Sequence, residues 1–201
     1  MSHRYHQAKF IQSAANMDGL PPELGFEVAF AGRSNAGKSS VLNRLCQQKS
    51  LARTSKTPGR TQLINFFALP DGRYLVDLPG YGYAKVPENV RKQWQRFIDA
   101  YLEQRWTLKG VVLLMDIRHP LKNYDQMMLD WAEQKDLAVH VLLNKSDKLK
   151  RGAAQNTLLS VRKKLKKYNA PRSVQTFSAL NGDGFDELTA VLDSWLYEDD
   201  E

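Results

Sequence analysis

Residues 27–40 read EVAFAGRSNAGKSS, and the fold follows from this stretch. Val28 to Ala31 is a short apolar run of the kind that forms a buried strand. Gly32-Arg33-Ser34-Asn35-Ala36-Gly37-Lys38-Ser39 then matches G-x-x-x-x-G-K-[ST] at every position, and helix-compatible residues from Ser40 to Leu45 follow directly. Strand, glycine-containing loop and helix start, in that order, are the setting of a phosphate-binding loop. Small residues let successive backbone N–H groups turn towards an anion, and the helix start adds unpaired donors and a partial positive charge. In such a loop Lys38 reaches the β- and γ-phosphates of a nucleotide, and the Ser39 hydroxyl ligates Mg²⁺.

Residues 1–25 read as an extension that packs Phe10, Ile11 and Leu20 on a domain spanning 26–197 and frays at its start. Gln47 to Arg60 has no periodicity and ends in Thr57-Pro58-Gly59-Arg60, followed by Thr61, so it reads as a loop. Strands are expected at Gln62–Leu69 and Arg73–Asp77, with a turn at Pro70-Asp71-Gly72. The spacing of Val90, Trp94, Phe97, Ile98, Tyr101 and Leu102 predicts a helix with a buried aromatic stripe. Strands at Val111–Met115, Ala138–Leu143 and Ser173–Phe177 alternate with helices marked by Met128 and Trp131, by Leu158, Val161 and Leu165, and by Leu188, Leu192 and Trp195. This alternation predicts an α/β fold of three layers, a mostly parallel sheet with helices on both faces.

The chain has 201 residues, enough for one such domain, and no apolar run approaches the ~20 residues needed to span a bilayer. The start, MSHRYHQAKF, lacks the apolar core of a secretion signal, and the single cysteine, Cys46, suits a reducing compartment. A cytoplasmic protein without membrane attachment is expected. The net charge is +7 although Glu198 to Glu201 form an acidic tail, so residues 1–197 carry +11. Between Lys148 and Arg172 there are nine Lys or Arg and no acid, a field that favours a polyanion such as RNA over a merely solvated helix face.

Three further motifs fall at expected strand ends. Asp77-Leu78-Pro79-Gly80 is a D-x-x-G whose carboxylate can hold Mg²⁺ through water while the Gly80 N–H meets a γ-phosphate. Asn144-Lys145-Ser146-Asp147 is an N-K-x-D. Its aspartate can accept from the N1–H and 2-amino group of guanine, donors that adenine lacks on that edge. A carboxylate left without those partners makes the wrong base costly, by ~10⁴ or more in sites of this kind. Asn144 would bridge to the phosphate loop and the Lys145 stem would cover the base. Phe177-Ser178-Ala179 follows the last strand, where the Ala179 N–H would meet the guanine O6. All of these lie at carboxyl ends of strands, where open α/β sheets bind ligands.

The set GRSNAGKS, TPGRTQ, DLPG, NKSD and SAL resembles a small Ras-like GTPase domain, and within that class the EngB family (also called YihA or YsxC) of bacterial ribosome-assembly GTPases. The resemblance implies a six-stranded sheet with one antiparallel strand, here 62–69. It implies GTP or GDP and Mg²⁺ as cofactors, with Gly59, Arg60, Thr61, Gln62 and Leu63 joining the nucleotide contacts. Switch loops would span about 50–62 and 77–86. Thr61 would join Ser39 and Asp77 at Mg²⁺, although by chemistry alone Thr57 competes for that place. The implied partner is the large ribosomal subunit or its precursor, with its rRNA against the basic 148–172 segment and secondary effects on cell division and septation. A monomer is expected.

Ras-like enzymes place a glutamine after D-x-x-G to orient water, and this chain has Tyr81 there, so slow intrinsic turnover is expected. Asn35 suggests compensation, because relatives with N-x-G-K-[ST] use that asparagine to hold a potassium ion near the β/γ bridge. The expected catalytic set is therefore Lys38, Asn35, Thr61 and Gly80. Two rivals stand beside this reading. One is an ATP-dependent P-loop kinase, which leaves NKSD unexplained. The other is an adaptor for RNA or the division machinery in which GTP is structural and hydrolysis incidental.

Overall fold

A computed structural model of the chain describes residues 3–52, 63–80 and 87–198. The strands are β1 (Lys9–Ala14), β2 (Phe26–Gly32), β3 (Ile64–Leu69), β4 (Arg73–Asp77), β5 (Leu108–Asp116), β6 (Ala138–Asn144) and β7 (Arg172–Thr176). They form one sheet in the order β1-β3-β4-β2-β5-β6-β7. β2 pairs in parallel with β4 and β5, and β5, β6 and β7 continue in parallel. β3 is antiparallel to both of its neighbours, so among the described strands it alone runs against the rest.

The helices are α1 (His3–His6), α2 (Lys38–Leu45), α3 (Glu88–Gln104), α4 (Asn123–Gln134), α5 (Arg151–Leu165) and α6 (Phe185–Tyr197). Alternate residues of each central strand face opposite sides, as the pleat requires. Ala29 and Ala31 of β2, with Val111 and Leu113 of β5, share a buried cluster with α3, α4 and α5. Val28 and Phe30, with Val112 and Leu114, meet α1, α2 and α6 on the other face. These continuous apolar strands are what a doubly covered parallel sheet needs.

Three details differ from the sequence expectation. Among the described residues the sheet has seven strands, not six, because Lys9–Ala14 pairs with β3 along the edge. Its six residues alternate too weakly to signal a strand, with Phe10 and Ile11 exposed. In α3 only Ile98, Tyr101 and Leu102 are buried, whereas Val90, Trp94 and Phe97 are half-buried. The stripe therefore reaches the core only in its second half. Arg172, counted within the basic segment, turns inward and donates to the carbonyls of Leu137, Leu129 and Pro171. Among the described residues no helix is long and apolar enough to cross a membrane.

Candidate nucleotide site

The chain leaves β2 at Gly32 and turns through Arg33 to Gly37, with the Ala36 N–H donating to the Arg33 carbonyl at 3.0 Å. Asn35 (φ 69°) and Gly37 (φ 92°) adopt left-handed backbone. A side chain at Gly37 is excluded twice over: an added Cβ would meet the Asn144 Nδ2 at 2.4 Å, and the positive φ strains any L-residue. α2 starts at Lys38, and among the described residues no side chain caps its first turn, which holds no acid. A helix start without a side-chain cap and without an acid in its first turn suits an anion better than a cation.

Asp77 ends β4, and the Leu78 N–H extends the β4 ladder by donating to the Phe30 carbonyl at 3.0 Å. This lays Asp77 to Gly80 against the phosphate loop. The Lys38 ammonium is ion-paired with the Asp77 carboxylate, their side chains 11% and 9% exposed. Gly80 sits close to Ser34, whose Cα lies 3.6 Å from where a Gly80 Cβ would be. The side chains of Leu78 and Phe177 are fully buried in the two cores, so only their backbones face the site.

Asn144 closes β6 and is 1% exposed. Its Nδ2 donates to the Ala36 carbonyl at 2.9 Å, and its Oδ1 accepts from the Ala179 N–H at 3.4 Å. One amide therefore ties the phosphate loop to the loop after β7. Lys145, left-handed at φ 65°, donates from Nζ to the Asn35 carbonyl at 2.6 Å. The Ser146 N–H bonds the Phe177 carbonyl at 3.0 Å. Asp147 accepts from the Ser178 hydroxyl at 2.7 Å and lies 3.5 Å from Lys148. The Ser178 bond holds its carboxyl below the usual carboxylate range, against the opposing effect of partial burial. Asp147 is thus an ionised acceptor at neutral pH.

The structure brings together Gly32 to Ser39, Asp77 to Gly80, Asn144 to Asp147 and Phe177 to Ala179, with Leu63 just ahead of β3. Gly59, Arg60, Thr61 and Gln62, with Thr57 and Tyr81, lie outside the described residues. For Mg²⁺, the donors among the described residues are the Ser39 hydroxyl and the single Asp77 carboxylate. Hard oxygens in small number suit an ion that keeps several waters and shares substrate phosphates. Sequence reasoning missed two contacts: the Ser178 hydroxyl on Asp147, and Asp116, which lies 3.3 Å from Lys145. Asp116 had a signal, an acid closing the apolar run of β5 in register with Asn144.

Fold, strand order and this set of loops define a P-loop GTPase. The family described as 50S ribosome-binding GTPase matches residues 27–145, more than half of the chain. The chain belongs to the EngB family. It is 57% identical over 194 residues to the probable GTP-binding protein EngB of Escherichia coli (strain K12), covering 96% of this chain and 92% of that protein. The EngB of Shigella boydii serotype 18 gives the same identity and coverage. A crystal structure of a probable GTP-binding protein engB superimposes with a TM-score of 0.65 at 24% identity, over 86% of this chain and 99% of that one. Era in complex with MgGDPNP and nucleotides 1506–1542 of 16S ribosomal RNA gives 0.65 at 25% identity, over 87% of this chain and 58% of that one.

Proposed function

We propose that this GTPase is a cytoplasmic, monomeric switch acting in assembly of the large ribosomal subunit, and that normal cell division and septation depend on it. The observation that carries the guanine site is the position of Asp147, an ionised carboxylate fixed by Ser178 beside a strand end already tied to the phosphate loop by Asn144. Guanine would satisfy that carboxylate with two donors and adenine with none, so the base is chosen by what an adenine would leave unpaired.

In this reading the backbone of Gly32 to Lys38 wraps the phosphates, Lys38 exchanges Asp77 for the β- and γ-oxygens, and Ser39, Asp77 and Thr61 hold Mg²⁺. That ion neutralises charge on the phosphate oxygens when bound. The N–H of Gly80 and the loop around Thr61 answer to the γ-phosphate, giving two states for a partner to read. The name of the matched family, 50S ribosome-binding GTPase, supports the large subunit as partner. So does the exposed basic surface of Lys150, Arg151, Arg162, Lys163, Lys164, Lys166 and Lys167, which would displace counterions from rRNA. With Tyr81 in place of the water-orienting glutamine, turnover is slow. Asn35 would help hold a potassium ion, whose positive charge would act on the phosphates as an arginine finger does.

The test of the site is Asp147→Asn, which should weaken GTP and improve xanthosine triphosphate, whose 2-oxo group accepts from an amide. An unchanged preference for GTP sinks the assignment. For the partner, co-sedimentation with large subunits should depend on GTP over GDP and weaken steeply with salt. Equal binding in both nucleotide states removes the switch reading. Equal hydrolysis rates in matched potassium and sodium buffers remove the potassium site.

A further inference from the structure

The N-K-x-D lysine has a counter-ion that belongs to none of the sequence motifs. Asp116 is the last residue of β5 and lies in register with Asn144 on β6. Its Oδ1 accepts from the Arg118 backbone N–H and from Arg118 Nε, both at 3.0 Å. Its Oδ2 accepts from Arg118 Nη2 at 2.7 Å and lies 3.3 Å from Lys145 Nζ. Arg118 thus fixes the plane of the carboxylate and leaves one oxygen edge turned to the lysine. The same Lys145 ammonium donates to the Asn35 carbonyl in the phosphate loop. The lysine head is therefore held between two oxygens supplied by two different loops. Its stem follows: Cε lies 3.8 Å from the place a Cβ would take on Gly37.

A lysine has a flexible four-carbon stem and a strongly hydrated head, so an unanchored ammonium would swing to water. The Lys145 side chain is 29% exposed and the Asp116 side chain 17%, so solvent screens their attraction only in part. The hydrogen bonds from Arg118 also keep the Asp116 carboxyl well below the usual carboxylate range, so the counter-ion stays charged throughout the physiological range.

We propose that Asp116 is a positioning residue of the nucleotide site, acting through Lys145 to hold the lysine stem in place for the base before nucleotide arrives. This rests on the reading of Asn144 to Asp147 as the guanine site. Asp116 then contributes to affinity for purine nucleotides in general and leaves base choice to Asp147, which Ser178 anchors separately.

The test is a double-mutant cycle of Asp116→Asn and Lys145→Ala, read as Kd for GDP and as the ratio of GDP to IDP affinity. The first substitution keeps the volume and an acceptor for the Arg118 N–H but removes the charge. The single change should weaken GDP roughly tenfold, the scale of losing one charge-assisted contact. It should leave the GDP to IDP ratio unaltered. In the Lys145→Ala background it should change Kd by less than about twofold, because non-additivity marks residues that act as a unit. Asp116→Glu keeps the charge and should fall between wild type and D116N. It takes the place of D116N in the cycle if that variant fails to fold. A full additional loss in the Lys145→Ala background overturns the proposal and leaves the guanine site standing. If Lys145→Ala itself leaves GDP binding unchanged, the proposal falls while the guanine site stands on Asp147; an Asp147→Asn variant that keeps its preference for GTP removes the guanine-site reading and the proposal with it.

Discussion

Asn144→Ala isolates the brace between the two halves of the site. The wild-type amide donates to the Ala36 carbonyl at 2.9 Å and accepts from the Ala179 N–H at 3.4 Å. The second contact is long, so nearly all of the effect belongs to the first. Ala36 is 3% exposed and Asn144 1%, so water does not readily replace the lost donor. Orphaning a buried carbonyl costs about 1–3 kcal/mol. For a chain of this size each kcal/mol lowers the melting temperature by about 2–4 °C. If the brace also holds the phosphate loop in its binding shape, the same free energy is drawn from nucleotide affinity, about 5- to 150-fold in Kd. The loss should strike GDP and GTP alike and spare the preference for guanine over hypoxanthine, because Asp147 is held independently by Ser178. Fluorescent-nucleotide titration beside a thermal melt reads both quantities. A lowered melting temperature with unchanged affinity for both nucleotides would refute the reasoning, since the brace would then serve folding alone.

Three other outcomes follow from groups remote from the nucleotide. Arg105 Nη2 lies 2.6 Å from Oε1 of Glu27, whose side chain is fully buried and also accepts from Tyr101 at 3.0 Å. Arg105→Ala strands that carboxylate and should cost about 3–5 kcal/mol in urea unfolding, while GDP affinity of the folded protein stays within about twofold, the scale of a site remote from the change. A cost below about 1 kcal/mol would mean Glu27 finds another partner. His140 is buried between Ser173 (2.7 Å) and Gln175 (2.8 Å), and burial lowers its pKa beneath the ordinary 6.5. Below that value the unfolded chain takes up a proton that the folded chain refuses, so stability falls as pH drops from 6.5. His140→Asn should flatten the slope of urea-unfolding free energy between neutral and acid pH, and an unaltered slope would exclude His140 as its source. Burial pushes the Cys46 thiol up to about 12, so a thiol reagent at pH 8 should label it only after denaturant is added. Rapid labelling of the native protein would contradict that burial.

The phosphate loop, D-x-x-G and N-K-x-D were legible because each is a local string whose spacing a ligand imposes. The central strands were legible because burial on both faces writes them as unbroken apolar runs such as VVLLM. What escaped depends on partners far away in the chain. Asn144 meets a residue 108 positions earlier, and Lys145 one 110 positions earlier. Nothing near Ser178 announces that its hydroxyl will serve Asp147. Arg172 shows the converse: in sequence it extends a basic run, yet its side chain is 3% exposed and pairs with Glu133. Charge counts carry no direction, and only packing assigns each guanidinium to solvent or to the interior.

β1 escaped for a related reason, and its placement explains why a seventh strand is worth having. Without it β3 would be the sheet edge, and β3 reads INFFAL, with Ile64, Phe66, Phe67 and Leu69 buried. A long apolar edge invites pairing with other chains. β1 covers it and moves the open edge to a strand bearing Lys9, Gln12 and Ser13, broken by a register shift between Phe10 and Gln12. A bulge of that kind twists an edge away from further pairing. The pairing also sets Ala14 against Ile64 and bonds Ser13 to Asn65 at 2.6 Å. At the other boundary, Asn43 on α2 holds both the N–H and the carbonyl of Ala52, at 2.7 and 3.0 Å. The chain therefore leaves the phosphate-site helix, and returns to the sheet, at points fixed by side-chain amides and a strand register. Asn65 itself is paired with Asp77. The edge strand is thus only two strands from the residue that closes the phosphate site, and it belongs to the frame on which the site is built.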